Sequence, residues 1–148
     1  MKYLSILLTL FIFASCSSDD DSVSDNNTQG PNANIETTIP GDYVITTFTV
    51  DGEDRSNNYN GFTFTYDGDG NVTAQNDILA EVGTWTYTTT TTDGELVENL
   101  ELFFNNQEPF TDLSREWDID ATISTTIRLS GFNSMGDNAR DVLVFTRQ

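Results

Sequence analysis

The feature that most constrains this chain is a period-two alternation that begins near Gly41 and runs almost to the end. Val44, Thr46, Phe48 and Val50 alternate with Ile45, Thr47 and Thr49. Similar runs occupy residues 62–66, 72–74, 84–88, 100–104, 117–121, 126–130 and 142–146. Successive side chains of a strand point to opposite faces, so each run reads as a strand with one face turned inward. Thr, Val, Ile and aromatic residues dominate these runs, as strands prefer. Asp67-Gly68-Asp69-Gly70 and Asp93-Gly94 supply hairpin turns between them. One short helical turn is expected over residues 109–115, with Pro109 near its start. The reading is an all-β, antiparallel domain of eight strands over residues 41–148.

The connections add topology. Links at 67–70, 92–95 and 122–125 are short, whereas those at 51–60, 105–116 and 131–141 are long, and 75–80 is intermediate. In an up-and-down meander successive links alternate between ends. All the long loops therefore fall at one end and the tight turns at the other. Eight strands with one elaborated mouth predict a closed up-and-down barrel, of the size that can hold one small ligand.

Ahead of this domain lies a different kind of sequence. Lys2 precedes an apolar run from Leu4 to Ile12, shorter than the ~20 residues that span a bilayer. Phe13-Ala14-Ser15-Cys16 follows, with small residues before the chain's only cysteine. This stretch resembles the lipobox of bacterial lipoproteins, with Phe13 in place of the usual Leu. The resemblance implies a signal peptide over 1–15, lipidation of Cys16 and anchoring of the mature chain in a membrane. Residues 16–40 carry few apolar side chains and read as a flexible acidic tether. Ser17, Ser18 and the acidic Asp19-Asp20-Asp21 resemble the sorting and export signals of surface-displayed Gram-negative lipoproteins. They imply an outer-membrane, cell-surface-facing location. Asp21-Ser22-Val23 also resembles a short O-glycosylation sequon, a match that chance readily supplies.

Composition excludes much chemistry. There is no histidine, and Lys2 is the only lysine, so cleavage leaves five arginines against 24 acids. Without His there is no Ser-His-Asp triad, and without His or a free thiol no ordinary zinc or copper site. The acidity is unsuited to nucleic acid, whose phosphates need clustered Lys and Arg. No enzyme, cofactor or metal is expected, and the domain is expected to be a monomer.

Several pieces of the domain resemble the lipocalin-like lipoproteins of Gram-negative bacteria. They are Val50-Asp51-Gly52, Phe62-Thr63-Phe64 running into Asp67-Gly68-Asp69-Gly70-Asn71-Val72, Gly83-Thr84-Trp85, Phe110-Thr111-Asp112-Leu113 before Trp117, and Leu143-Val144-Phe145. The resemblance implies a lipocalin-like barrel. Lipocalins proper pack a first-strand Gly-x-Trp on a late Arg. Here Gly41-Asp42-Tyr43 and Arg147 stand in those places, so Tyr43 is expected to meet Arg147.

Candidate sites follow from the alternation. Phe62, Phe64, Tyr66, Trp85, Tyr87 and Trp117 should face inward, with Ile119, Leu143 and Phe145. Such a lining could grip a small hydrophobic ligand in the barrel mouth. The same rings could instead fill a solid core, in which case the long loops, bearing Tyr59, Phe110, Phe132 and Met135, would contact a protein or glycan partner. Asp67-Gly68-Asp69-Gly70-Asn71 opens like a calcium loop, but Val72 stands where that loop needs Gly and Ile78 where it needs Glu. It is read as a turn. Asp118 and Asp120 alternate with Trp117 and Ile119, and so belong to the solvated face of their strand.

Overall fold

The computed structural model describes residues 38–105, 108–132 and 139–148. Its strands are β1 (Gly41–Val50), β2 (Glu53–Asp54), β3 (Thr63–Tyr66), β4 (Asn71–Gln75), β5 (Ala80–Thr92), β6 (Glu95–Phe104), β7 (Glu116–Ile123), β8 (Thr126–Phe132) and β9 (Arg140–Arg147). Consecutive strands pair antiparallel from β3 to β9, and β1 pairs with both β3 and β9. The sheet thus closes into an eight-stranded up-and-down barrel, with β2 a two-residue addition on the outer edge of β1. Closure leaves the main sheet without two open sides, the usual liability of an antiparallel sheet.

The expected turns appear where their residues demand. The Asp67 carboxylate accepts the N–H groups of Asp69 and Asn71 at 2.9 and 2.8 Å and the Asn71 side-chain amide at 2.8 Å. Those bonds hold the Asp67 carboxyl below its ordinary pKa, the Asn71 side chain being the largest cause. Asp93 and Gly94 both have positive φ, as a two-residue hairpin requires. At the other end the first long loop contains a 3-10 turn, Ser56–Tyr59, and the second, between β6 and β7, contains another, Phe110–Leu113, inside the expected 109–115.

Two features depart from strict alternation. Thr46 is an extra residue in β1 opposite β9, so Ile45 and Phe48 both face inward although three positions apart. Asp120 is a second such bulge, in β7. A bulge shifts the inward set by one residue and bends the strand, which a barrel wall exploits.

The ordered domain also starts earlier than residue 41. Ile39, assigned by sequence to the tether, is fully buried in the core. Its neighbours are clamped from the far end of the chain: Arg147 Nη2 donates to the carbonyls of Thr38 at 2.8 Å and Pro40 at 3.1 Å. The signal peptide, Cys16 and residues 16–37 of the tether lie outside the described residues.

Candidate functional site: the barrel interior and its mouth

Five of the six rings expected to line a ligand cavity are buried, and they bury against one another. Phe64 stands at the centre, with the rings of Phe145 at 5.4 Å, Tyr59 at 6.2 Å, and Phe104 and Phe110 each at 6.4 Å. Towards the base, Tyr66 meets Tyr43, Phe145 and Trp85 at 5.6, 5.6 and 6.1 Å. Trp117 packs on Phe48 and donates its indole N–H to the Leu113 carbonyl at 3.0 Å. Most of these pairs meet edge-on, the arrangement the ring quadrupole favours. Tyr87 is only half-buried, and its hydroxyl donates to Glu98 at 2.6 Å.

The mouth is closed by two rings that sequence reading assigned to exposed loop contacts. Tyr59 and Phe110 are both buried, and this corrects that assignment. Phe110 drops from its 3-10 turn onto Phe104, stacked at 5.1 Å, and meets Phe62 edge-on at 5.3 Å. Tyr59 packs on Phe48 at 5.4 Å and donates its hydroxyl to the Pro109 carbonyl at 2.6 Å. The physical reason is area: an aromatic ring buries 150–250 Å², and a loop over a barrel mouth can recover it by folding inward.

Polar contacts hold these loops down. Arg55 pairs with Asp112 at 2.6 Å and so joins the two 3-10 turns at the rim. Ser114 Oγ accepts the Phe104 N–H at 2.9 Å and lies 3.1 Å from the Phe110 carbonyl, to which it donates. Across the rim, the buried Asp141 carboxylate accepts from Arg115 Nη2 at 2.7 Å and from the Asp51 N–H at 2.8 Å. The Arg115 guanidinium lies 3.8 Å from the centre of the Trp117 ring. Burial raises the pKa of the Tyr59 hydroxyl, and the nearby Asp112 and Glu108 carboxylates raise it further. Burial likewise raises that of Tyr66, whose hydroxyl has no hydrogen-bond partner among the described residues.

Of the other expected loop contacts, Phe132 is 86% exposed beside the Arg140 guanidinium, and Met135 lies outside the described residues. Sequence reading missed Ile78, which is 94% exposed on the loop between β4 and β5. That loop is stiff, because the Asn76 side chain accepts the N–H groups of both Ile78 and Leu79. An Ile at the tip of an Asn-capped turn was the available signal. Phe132 and Ile78 thus stand on opposite sides of the mouth, on β8 and beside β4.

The outer wall is largely polar, with Val82, Leu96, Phe103 and Ile123 exposed on it singly. Asp118 pairs with Arg140, and Asp120 with Arg128, which agrees with their placement on the solvated face. One shallow cleft outside the barrel is lined by Asp42, Gly61, Thr63, Thr65, Gln75, Asn76 and Asp77. Another lies between the β3–β4 turn and Trp85, Thr86 and Tyr87. No group of acidic side chains among the described residues is arranged to hold a metal ion. All five arginines are engaged: Arg55, Arg115, Arg128 and Arg140 in ion pairs, Arg147 at the base. Glu53, Asp54, Asp77 and Glu108 are exposed on the mouth loops.

Fold and site together define a closed antiparallel barrel with an aromatic interior and an acidic rim. Comparison with protein-family models, with curated proteins and with solved structures finds no match.

Proposed function

We propose that this protein is a lipid-anchored outer-membrane lipoprotein, facing outward, whose barrel is a rigid interaction module. It binds a protein partner at its mouth rim. The observation that carries this reading is the insertion of Phe110 and Tyr59 into the mouth, where they pack on Phe104, Phe62 and Phe48. A small hydrophobic ligand, the other occupant suited to such a barrel, would have to displace those rings and break the latches above them.

The rim supplies what a docking surface needs. Phe132 and Ile78 are exposed apolar anchors on short, held segments, and anchors of this kind carry most of the energy of an interface. With every arginine committed to an internal partner, Asp54, Asp77 and Glu108 on the rim form no ion pair among the described residues. The fitting partner therefore has an apolar patch set among Lys or Arg side chains. Entry of the chain at the base of the barrel, beside Arg147, supports a mouth that faces away from the anchoring membrane.

The test is site-specific photocrosslinking in intact cells of the native host. A photoreactive residue at position 132 or 78 should yield one discrete protein adduct that weakens with added salt. The same residue at Ala121, on the barrel wall, should not. Equal labelling at all three positions, or none at 132 and 78, would contradict the proposal.

A further inference from the structure

β5 is covered along its outer edge only in its first part. β4 pairs with it from Ala80 to Thr84, and the Gly70 carbonyl then accepts the Trp85 N–H at 2.8 Å. Beyond that point β5 continues as one arm of a hairpin, paired with β6 down to Thr92 opposite Glu95. Antiparallel pairing alternates the direction of backbone groups. Since the Trp85 N–H points away from β6, those of Thr89 and Thr91 do as well, together with their carbonyls. No strand among the described residues meets them, and residues 88–92 are exposed.

The hairpin has a second bare edge, because β7 joins β6 only from Asn99 to Glu101. The two edges differ in protection. The β6 edge carries Glu95 and Glu98, and inserted charges are a standard guard against edge-to-edge pairing. Beyond the part that β4 covers, from Thr86 to Thr92, the β5 edge has no charged residue, no proline and no bulge. In a chain of net charge −18 it is a strip of seven uncharged residues, bounded by Asp93.

We propose that the β5 edge pairs with the same edge of a second copy, in a two-fold antiparallel ladder with Thr89 facing Thr89. A two-fold contact needs a self-complementary patch, and here each cross-strand neighbour near the axis is another threonine, a favourable pairing. The cleft beside Gly68, Gly70 and Trp85 lies where the partner's Asp93-Gly94 turn arrives in this register. A single ladder is a small contact, so the dimer is weak and dependent on concentration.

Residues 17–148 contain the whole closed barrel and no cysteine, and they suffice for the test. Sedimentation velocity from micromolar to millimolar protein should show monomer passing to dimer. Thr89→Lys, which sets two ammonium groups side by side at the axis, should abolish that shift with an unchanged circular dichroism spectrum. Independently, Thr89→Cys should form a disulfide-linked dimer under mild oxidation, since facing Cα atoms of such a pair lie ~5.5 Å apart. Phe103→Cys, on the barrel wall, should not. A parent that stays monomeric throughout overturns the proposal. So does a folded Thr89→Lys variant that associates as the parent does, or equal cross-linking from positions 89 and 103.

Discussion

Arg147 and Tyr43 lock the base of the barrel. The guanidinium lies 5.0 Å from the centre of the Tyr43 ring, and its Nη2 donates to the Tyr43 hydroxyl at 2.7 Å. The same nitrogen reaches the Thr38 and Pro40 carbonyls, so one side chain from the last strand fastens the residues that lead into the first. Gly41 makes the approach feasible. Its φ is +145°, and a Cβ there would stand 2.9 Å from Arg147 Nη1.

Removing that clamp should loosen the base. Arg147→Ala leaves Thr38 and Pro40 without their donor and is expected to cost about 2 kcal/mol, the scale of hydrogen bonds to a charged group. Hydrogen exchange should show faster exchange in the first residues of β1 and slower change elsewhere. Urea unfolding within a few tenths of a kcal/mol of the parent would contradict the clamp.

Tyr59 and Tyr66 should respond oppositely to loss of the hydroxyl. Tyr59 donates to Pro109, so Tyr59→Phe should destabilise by about 1 kcal/mol. The Tyr66 hydroxyl is buried without a partner among the described residues, so Tyr66→Phe should be neutral or stabilising. Denaturant midpoints of the two variants provide the check.

Alkali should unfold the barrel through the same residues. Both hydroxyls have raised pKa values in the folded state, mainly from burial. The folded state therefore holds protons that the unfolded chain releases above its ordinary tyrosine pKa of ~10. Stability is intact below that pH and falls as pH rises through the folded values. Ultraviolet tyrosine titration should show two groups ionising only as circular dichroism is lost. Smooth ionisation of Tyr59 and Tyr66 in folded protein would contradict the burial.

Acid should act at the first tight turn. The Asp67 pKa is lowered in the folded state by its bonds to Asn71, so its contribution is present above the unfolded pKa of ~3.9 and is lost as pH falls through the folded value. Asp67→Asn should flatten that part of the acid stability profile. An unchanged profile would exclude the turn as its source.

Much of the fold is legible in the alternation, because a barrel wall repeats one physical rule: apolar in, polar out. The eight runs, the Asp-Gly turns and the gathering of long loops at one end follow from it, and so does the inward set of Phe64, Tyr66, Trp85 and Trp117. What escapes it is local. Thr46 and Asp120 are bulges, and a bulge preserves composition while shifting face. Tyr59 and Phe110 sit in irregular loops, where period says nothing about direction. Their size was the available signal, since a ring of that area rarely stays wet beside an apolar mouth. Ile39 follows a polar stretch and has no periodic partner, so only its docking places it in the core.

The central claim is that the barrel interior is already full, and Phe110→Ala tests it together with the parent by native mass spectrometry. The protein is expressed in bacteria, purified gently and incubated with a panel of fatty acids and sterols. The parent should show a bare polypeptide mass. Phe110→Ala should cost ~3–5 kcal/mol in stability and take up a small apolar molecule into the vacated mouth. A parent that carries a discrete extra mass, removed by organic extraction, would show an open barrel and contradict the claim.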